Sequence, residues 1–139
     1  MKVQNYRREV HTRGEGDIID LTEEIVACIE QSAIRNGTAS VFVPGSTGGV
    51  TTIEYEPGVV QDLQSCFDRL APREIPYAHE QAWHDGNGHS HVRAGLLGPS
   101  LVLPVEDGRP TLGTWQQVVL VDFDNRPRQR TWVVTVMGE

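Results

Sequence analysis

Cysteine is scarce in this chain: Cys28 and Cys66 are the only two among 139 residues. Two thiols cannot build a disulfide framework, and both fall near the apolar side of predicted helices, which marks them as buried structural thiols. Long apolar runs are also missing. No stretch approaches the roughly 20 residues that a bilayer span requires. The start, Met1-Lys-Val-Gln-Asn-Tyr-Arg-Arg8, has charge with no apolar run behind it, so no secretory leader is expected. Positive charge is in deficit. Twelve Lys and Arg against 19 Asp and Glu give a net charge of -7. Binding phosphate backbones needs an excess of Lys and Arg on some face, so no nucleic-acid partner is expected. The one dense basic stretch, Arg126-Pro-Arg128-Gln-Arg130, reads as an arginine-rich hairpin turn, with a phosphate-facing role for one arginine as the alternative. There is no linker, repeat or low-complexity segment. The expectation is a single domain, residues 1–139, soluble and cytoplasmic, able to bury a core without staples.

What is present reads as strands interrupted by two helices. Lys2 to Thr12 forms a long, weakly patterned strand, broken by Gly14 and Gly16. Asp20-Leu-Thr-Glu23 resembles a capping box, after which Leu21, Ile25, Cys28 or Ile29, and Ser32 or Ala33 recur at helical spacing as far as Asn36-Gly37. Strands are predicted at 39–43 and 50–55, flanking the loop Pro44-Gly-Ser-Thr-Gly-Gly49. A second helix starts at Pro57 and closes at Ala71-Pro72. Further strands are predicted at 100–103, 117–123 and 130–137. This order implies an α+β fold with a largely antiparallel sheet, either as one sheet or as two packed face to face.

Four of the five histidines lie between His79 and His91, in His79-Glu-Gln-Ala-Trp-His84-Asp-Gly-Asn-Gly-His89-Ser-His91. Neutral imidazole is a common metal ligand and a proton carrier near neutral pH. If Val92, Ala94 and Leu96 continue a strand, alternation puts His89, His91 and Arg93 on one face. Two imidazoles there could share an ion with a third from elsewhere, as in catalytic zinc sites. The plainer reading is a solvated pair of strand histidines.

Other residues carry two readings each. Gly45-Ser-Thr-Gly-Gly49 is either an anion cradle, with converging backbone N–H groups and the hydroxyls of Ser46 and Thr47, or a glycine-rich strand connection. Glu54 is an exposed strand residue or a general base. Asp85 and Asn87 orient an imidazole or bind substrate, or simply form the turn Asp-Gly-Asn-Gly.

The blocks Val41-Phe-Val-Pro-Gly-Ser-Thr-Gly-Gly-Val-Thr-Thr-Ile-Glu54, Trp83-His-Asp-Gly-Asn-Gly-His-Ser-His-Val-Arg-Ala94, Leu97-Gly-Pro-Ser-Leu-Val-Leu-Pro104 and Leu112-Gly-Thr-Trp-Gln116 occur in this order. Together they resemble the YjbQ-like family, often labelled secondary thiamine-phosphate synthase. The resemblance implies a strand-rich α+β fold with two packed sheets and two helices, assembled as a homotrimer. It implies His79, His89 and His91 as metal ligands, with Asp85 and Asn87 beside them and Thr47 and Glu54 facing the same pocket. His84 lies where the family pattern is not restrictive and is left out of the ligand set. Many members of the thiamine-labelled group carry a histidine where this chain has Gly45, so the chain is similar to a second, Gly-Ser-Thr subgroup.

These readings lead to one expected function and two alternatives. The first is an enzyme acting on a small phosphorylated compound around a divalent ion, zinc by its suitability for imidazole. In it Glu54 or Asp85 moves protons, Thr47 and Asn87 bind substrate, and thiamine-phosphate synthase activity is weak or lost for want of an imidazole at Gly45. The second is a non-catalytic module that binds a phosphorylated ligand or a metal ion. The third is a purely structural trimer.

Overall fold

The architecture follows from one strand buried on both faces. In the computed structural model, which describes residues 1–139, β7 (Gln117–Asp122) alternates Val118 and Leu120 toward one core with Val119 and Val121 toward another. The run Val-Val-Leu-Val is apolar throughout because neither face meets water. β7 is the centre of a three-stranded antiparallel sheet, flanked by β2 (Asp17–Asp20) and β4 (Gly48–Ile53).

The second sheet has the order β1-β8-β3-β5-β6 and is also antiparallel, comprising β1 (Lys2–Thr12), β3 (Gly37–Phe42), β5 (Ser100–Glu106), β6 (Arg109–Pro110) and β8 (Arg128–Gly138). Its inner side chains Ala39, Val41, Leu103, Trp132, Val134 and Val136 pack with Val50, Val118 and Leu120 of the first sheet. The helix α1 (Thr22–Ser32) adds Ile25, Cys28 and Ile29 to this core. The opposite face of the small sheet is covered by α2 (Pro57–Leu70) through Phe67 and by α4 (Gly88–Leu97) through Ala94. A short helix, α3 (Ala78–Trp83), precedes α4. No helix is long and apolar enough to cross a membrane.

Three of the six passages between the sheets, from β1 to β2, from β3 to β4 and from β7 to β8, are short loops at the same end. The registers show this: Asp122, the last residue of β7, pairs with Asp17 and Gly48, the first of β2 and β4, while Arg128 opens β8 opposite Thr12. The first crossing turns at Gly14, whose φ of +73° admits no ordinary side chain and whose Cβ would stand 2.4 Å from the Arg126 carbonyl.

The α+β fold with two packed antiparallel sheets is as expected, but it carries four helices instead of two. Residues 88–97 form a helix, not the strand that His-x-His suggested. The determining pattern was Ser90, Arg93, Ala94 and Leu97, at i, i+3, i+4 and i+7, with Val92 and Leu96 left exposed. α1 also ends sooner than predicted. Ser32 turns its hydroxyl back to the Ile29 carbonyl, Ala33 takes the left-handed cap, and Gly37 already belongs to β3, where a Cβ would meet the Met137 carbonyl. Asp20 does not stand at the N-cap position; its carboxylate accepts from the Thr22 backbone and hydroxyl one residue before Leu21, which does. Both cysteines are free, Cys28 buried and Cys66 half-buried, and burial pushes the Cys28 thiol pKa up.

Candidate metal centre

α3, the loop after it and α4 form one pinned unit at the crossing end of the sheets. Glu80 accepts from the backbone of Gly86 and of Gly88, each at 2.8 Å. Asn125 donates to the Asp85 carbonyl at 2.8 Å, and Gly88 packs so closely on Tyr77 that a Cβ would lie 2.5 Å from that side chain. His84 caps α3 in the left-handed conformation and is exposed, away from the ligand cluster.

This unit sets His79 of α3 against His91 of α4, with ring centroids 4.4 Å apart, and puts Asp85 beside them. Ligand atoms of His79, Asp85 and His91 lie within 4.8 Å of one another. His79 Nε2 is 3.1 Å from Asp85 Oδ1, which also accepts from the Asn87 backbone at 3.0 Å. That amide, with the two imidazoles adding to it, holds the Asp85 carboxyl below the usual carboxylate range. His91 Nδ1 donates to the Ser46 carbonyl at 3.0 Å, so Nε2 is the nitrogen with a free lone pair.

His89 is not part of this cluster. On a helix, residues two apart are separated by about 200° of rotation, so His89 turns away from His91. It is buried near Tyr77 with Nε2 3.4 Å from the Ser90 hydroxyl, and burial lowers its pKa, favouring the neutral imidazole.

The other predicted site residues divide. Thr47 is buried, but its hydroxyl is committed within the protein: it donates to Asp124 Oδ2 at 3.0 Å and accepts from Arg130 Nη2. Asn87 precedes α4, and its side-chain carbonyl accepts from Ser90 at 2.8 Å and from the Asn125 backbone at 3.0 Å. Both position the site from below. Glu54 lies exposed just beyond β4, at the end away from the crossings, roughly 20 Å along the strand from Thr47, and does not join the histidines.

Beneath the loop 44–47 is a buried charge network. Asp122 and Asp124 are both fully buried. Asp122 accepts from Thr12 at 2.6 Å and from Arg130 Nε and Nη2, each at 2.8 Å. Asp124 Oδ2 accepts from Arg128 Nε and Nη2 at 3.0 and 2.9 Å. Two of the three arginines of the basic turn are thus paired within the fold. Sequence reasoning missed both aspartates; the signal was two carboxylates at the end of an apolar strand run, two residues apart, facing arginines two apart.

Burial alone would push the Asp124 carboxyl up, but bonds from Arg128, Thr47 and Asn87 outweigh it and hold the pKa below the usual value. A carboxyl lowered by folding stabilises the native state above its unfolded pKa, about 4, and that stability is lost as pH falls through the folded value. Acid unfolding followed by circular dichroism is therefore expected to steepen below about pH 4, and Asp124→Asn to flatten that limb. An unchanged acid limb in a folded Asp124→Asn variant would contradict this role.

Comparison with known proteins identifies the family and the fold. The family model described as UPF0047 protein YjbQ-like matches residues 6–139. A UPF0047 protein of Methanocaldococcus jannaschii is 30% identical over 135 residues, covering 96% of this chain and 94% of that protein. The UPF0047 protein YugU of Bacillus subtilis is 35% identical over 132 residues, covering 94% of this chain and 96% of that protein. Among solved structures, a YjbQ-like protein of unknown function from Sulfolobus solfataricus superposes with a TM-score of 0.90 at 28% identity, covering 99% of this chain and 100% of that one. A hypothetical protein from Aeropyrum pernix gives 0.89 at 30% identity, covering 100% of both chains. By sequence and by fold, the chain belongs to the YjbQ-like UPF0047 family.

Proposed function

We propose that this protein holds one divalent ion, zinc by its donor set, and acts on a small phosphorylated compound. The observation that carries the reading is the facing pair His79 and His91 with Asp85, together with the Ser46 carbonyl that fixes the His91 tautomer. Two imidazoles and a carboxylate are a ligand set used by catalytic zinc, and they leave a position open. An ion so held polarises a phosphoryl oxygen or lowers the pKa of water. Asp85, low in pKa and on the open side, serves as ligand or accepts a proton. His79, His91 and Asp85 replace the three-histidine set that the family resemblance implied, because His89 is turned into the protein. The glycine-rich loop beside His91 supports a phosphorylated ligand.

Zinc titration of metal-free protein is expected to give one ion per chain. The double variant His79→Ala/His91→Ala should lose it, while His89→Gln keeps stoichiometric binding. Retention of zinc by the double variant would sink the centre; loss in a folded His89→Gln would restore the three-histidine set. A thermal-shift screen of phosphorylated metabolites, followed by turnover assays, separates an enzyme from a binding module, since a module is stabilised without product.

Thiamine-phosphate synthesis is expected to be very poor. Gly45 supplies no proton donor, and loss of one general acid or base costs about 10²–10⁴-fold. Gly45 has φ +129°, and a Cβ there would lie 2.9 Å from Arg130 Nη1, so Gly45→His is expected to destabilise the loop without restoring activity. Turnover comparable to a dedicated synthase, measured with both precursors and wild-type protein, would contradict this.

The assembly expected is a homotrimer. The five-stranded sheet has open edges at β1 and β6, and Trp115 is 71% exposed, features that a closed cyclic oligomer covers. Light scattering at micromolar concentration should give three times the chain mass, and a monomer mass would rule the trimer out.

A further inference from the structure

Arg130 is the most buried arginine of the crossing turn, with 9% of its side chain exposed, and its guanidinium is only partly used. Nε and Nη2 serve Asp122 and Thr47. Nη1 donates to nothing in the protein. It lies against Gly45, where an added Cβ would stand 2.9 Å away. Gly45 itself is exposed, so the missing side chain leaves Nη1 open from that side.

The loop over it is equally unsatisfied. The backbone N–H groups of Gly45, Ser46 and Thr47 make no hydrogen bond within the chain, although Thr47 is buried. Buried amides normally have partners. Two of these residues accept on their other side: the Ser46 carbonyl takes His91 Nδ1, and the Thr47 carbonyl takes the Phe123 amide at 2.8 Å. The Ser46 carbonyl shares its peptide plane with the Thr47 amide, so the His91 bond fixes that amide. Three successive free amides beside an unused guanidinium nitrogen offer an oxyanion converging donors.

We propose that Arg130 Nη1 and the amides of residues 45–47 bind a phosphoryl group of the substrate next to His91, with Gly45 as the opening to the guanidinium. This rests on the phosphorylated-ligand reading above and names the residues that select it. Asp122 fixes the guanidinium through Nε and Nη2, so Nη1 is presented without reorganisation. Arg128, paired with Asp124 and 36% exposed, is not needed for this role.

The test is calorimetric titration of the full-length protein with inorganic phosphate, in zinc-loaded and chelator-treated forms, with zinc stoichiometry and thermal unfolding measured on the same samples. Wild type is expected to bind phosphate in both forms, more tightly with zinc. Arg130→Lys keeps a charge against Asp122 but loses Nη1, and should weaken binding by about tenfold or more. Gly45→Ala leaves the Arg130–Asp122 pair intact and places a methyl over Nη1, so it gives an independent answer if Arg130→Lys fails to fold; a similar loss is expected. Arg126→Gln removes an exposed charge of the same turn and should change affinity less than about twofold. No phosphate binding by wild type, wild-type affinity in both folded variants, or an equal loss in Arg126→Gln would overturn the proposal. Phosphate binding by a wild type that takes up no zinc on titration would overturn the metal centre alone.

Discussion

The structure depends on two carboxylates that water cannot reach. Asp122 and Asp124 are buried where the chain crosses between sheets. An isolated buried carboxylate costs several kcal/mol, and removing one partner of a buried pair typically costs about 3–5 kcal/mol. Here each is met by an arginine of the following strand and by a hydroxyl: Arg130 and Thr12 for Asp122, Arg128 and Thr47 for Asp124. Thr12 ends β1, Thr47 precedes β4 and the arginines open β8. One charge cluster therefore ties together the three crossings at this end. Such a pair is weak evidence for extra stability, because desolvation offsets the attraction. Its effect is on geometry, since the strand ends must converge for either carboxylate to be satisfied.

From this corner the candidate centre inherits its rigidity. Thr47 is fixed from below, so Ser46 is fixed beside it, and the Ser46 carbonyl orients His91. On the other side, Asn87 links the start of α4 to the Asn125 backbone and, through its amide nitrogen at 3.4 Å, to Asp124. Metal-binding imidazoles commonly depend on such outer hydrogen bonds to carbonyls for tautomer and orientation. The two histidines come from separate helices, but both answer to the same buried aspartates.

Much of the fold was legible in the sequence because its signals are local. Pro57 after Glu56 starts α2, and the Glu56 carboxylate accepts from the amides of Gly58 and Val59. The apolar run of β7 and the break at Gly14 and Gly16 were equally plain. The histidine segment was not, because His-x-His fits either face geometry until the burial of Ser90, Arg93 and Ala94 decides it. That error changed which side chains are neighbours: a strand would join His89 to His91, whereas the helix separates them and sets His91 beside His79 and Asp85. Thr47 and Asn87 were found by motif, but their side chains are turned to the charge network. The network itself was hidden because its members are far apart in sequence, Thr12 and Asp122 being separated by 110 positions.

Gly45 shows why a residue can be absent for a reason. In this fold a side chain at Gly45 would require a strained φ and a collision with Arg130. Arg130 in turn cannot retreat, since its other nitrogens are held by Asp122 and Thr47. The glycine is thus a consequence of where the buried arginine lies, and the arginine lies there because Asp122 requires it. The composition of the loop beside the candidate centre follows from charge balance in the core beneath it.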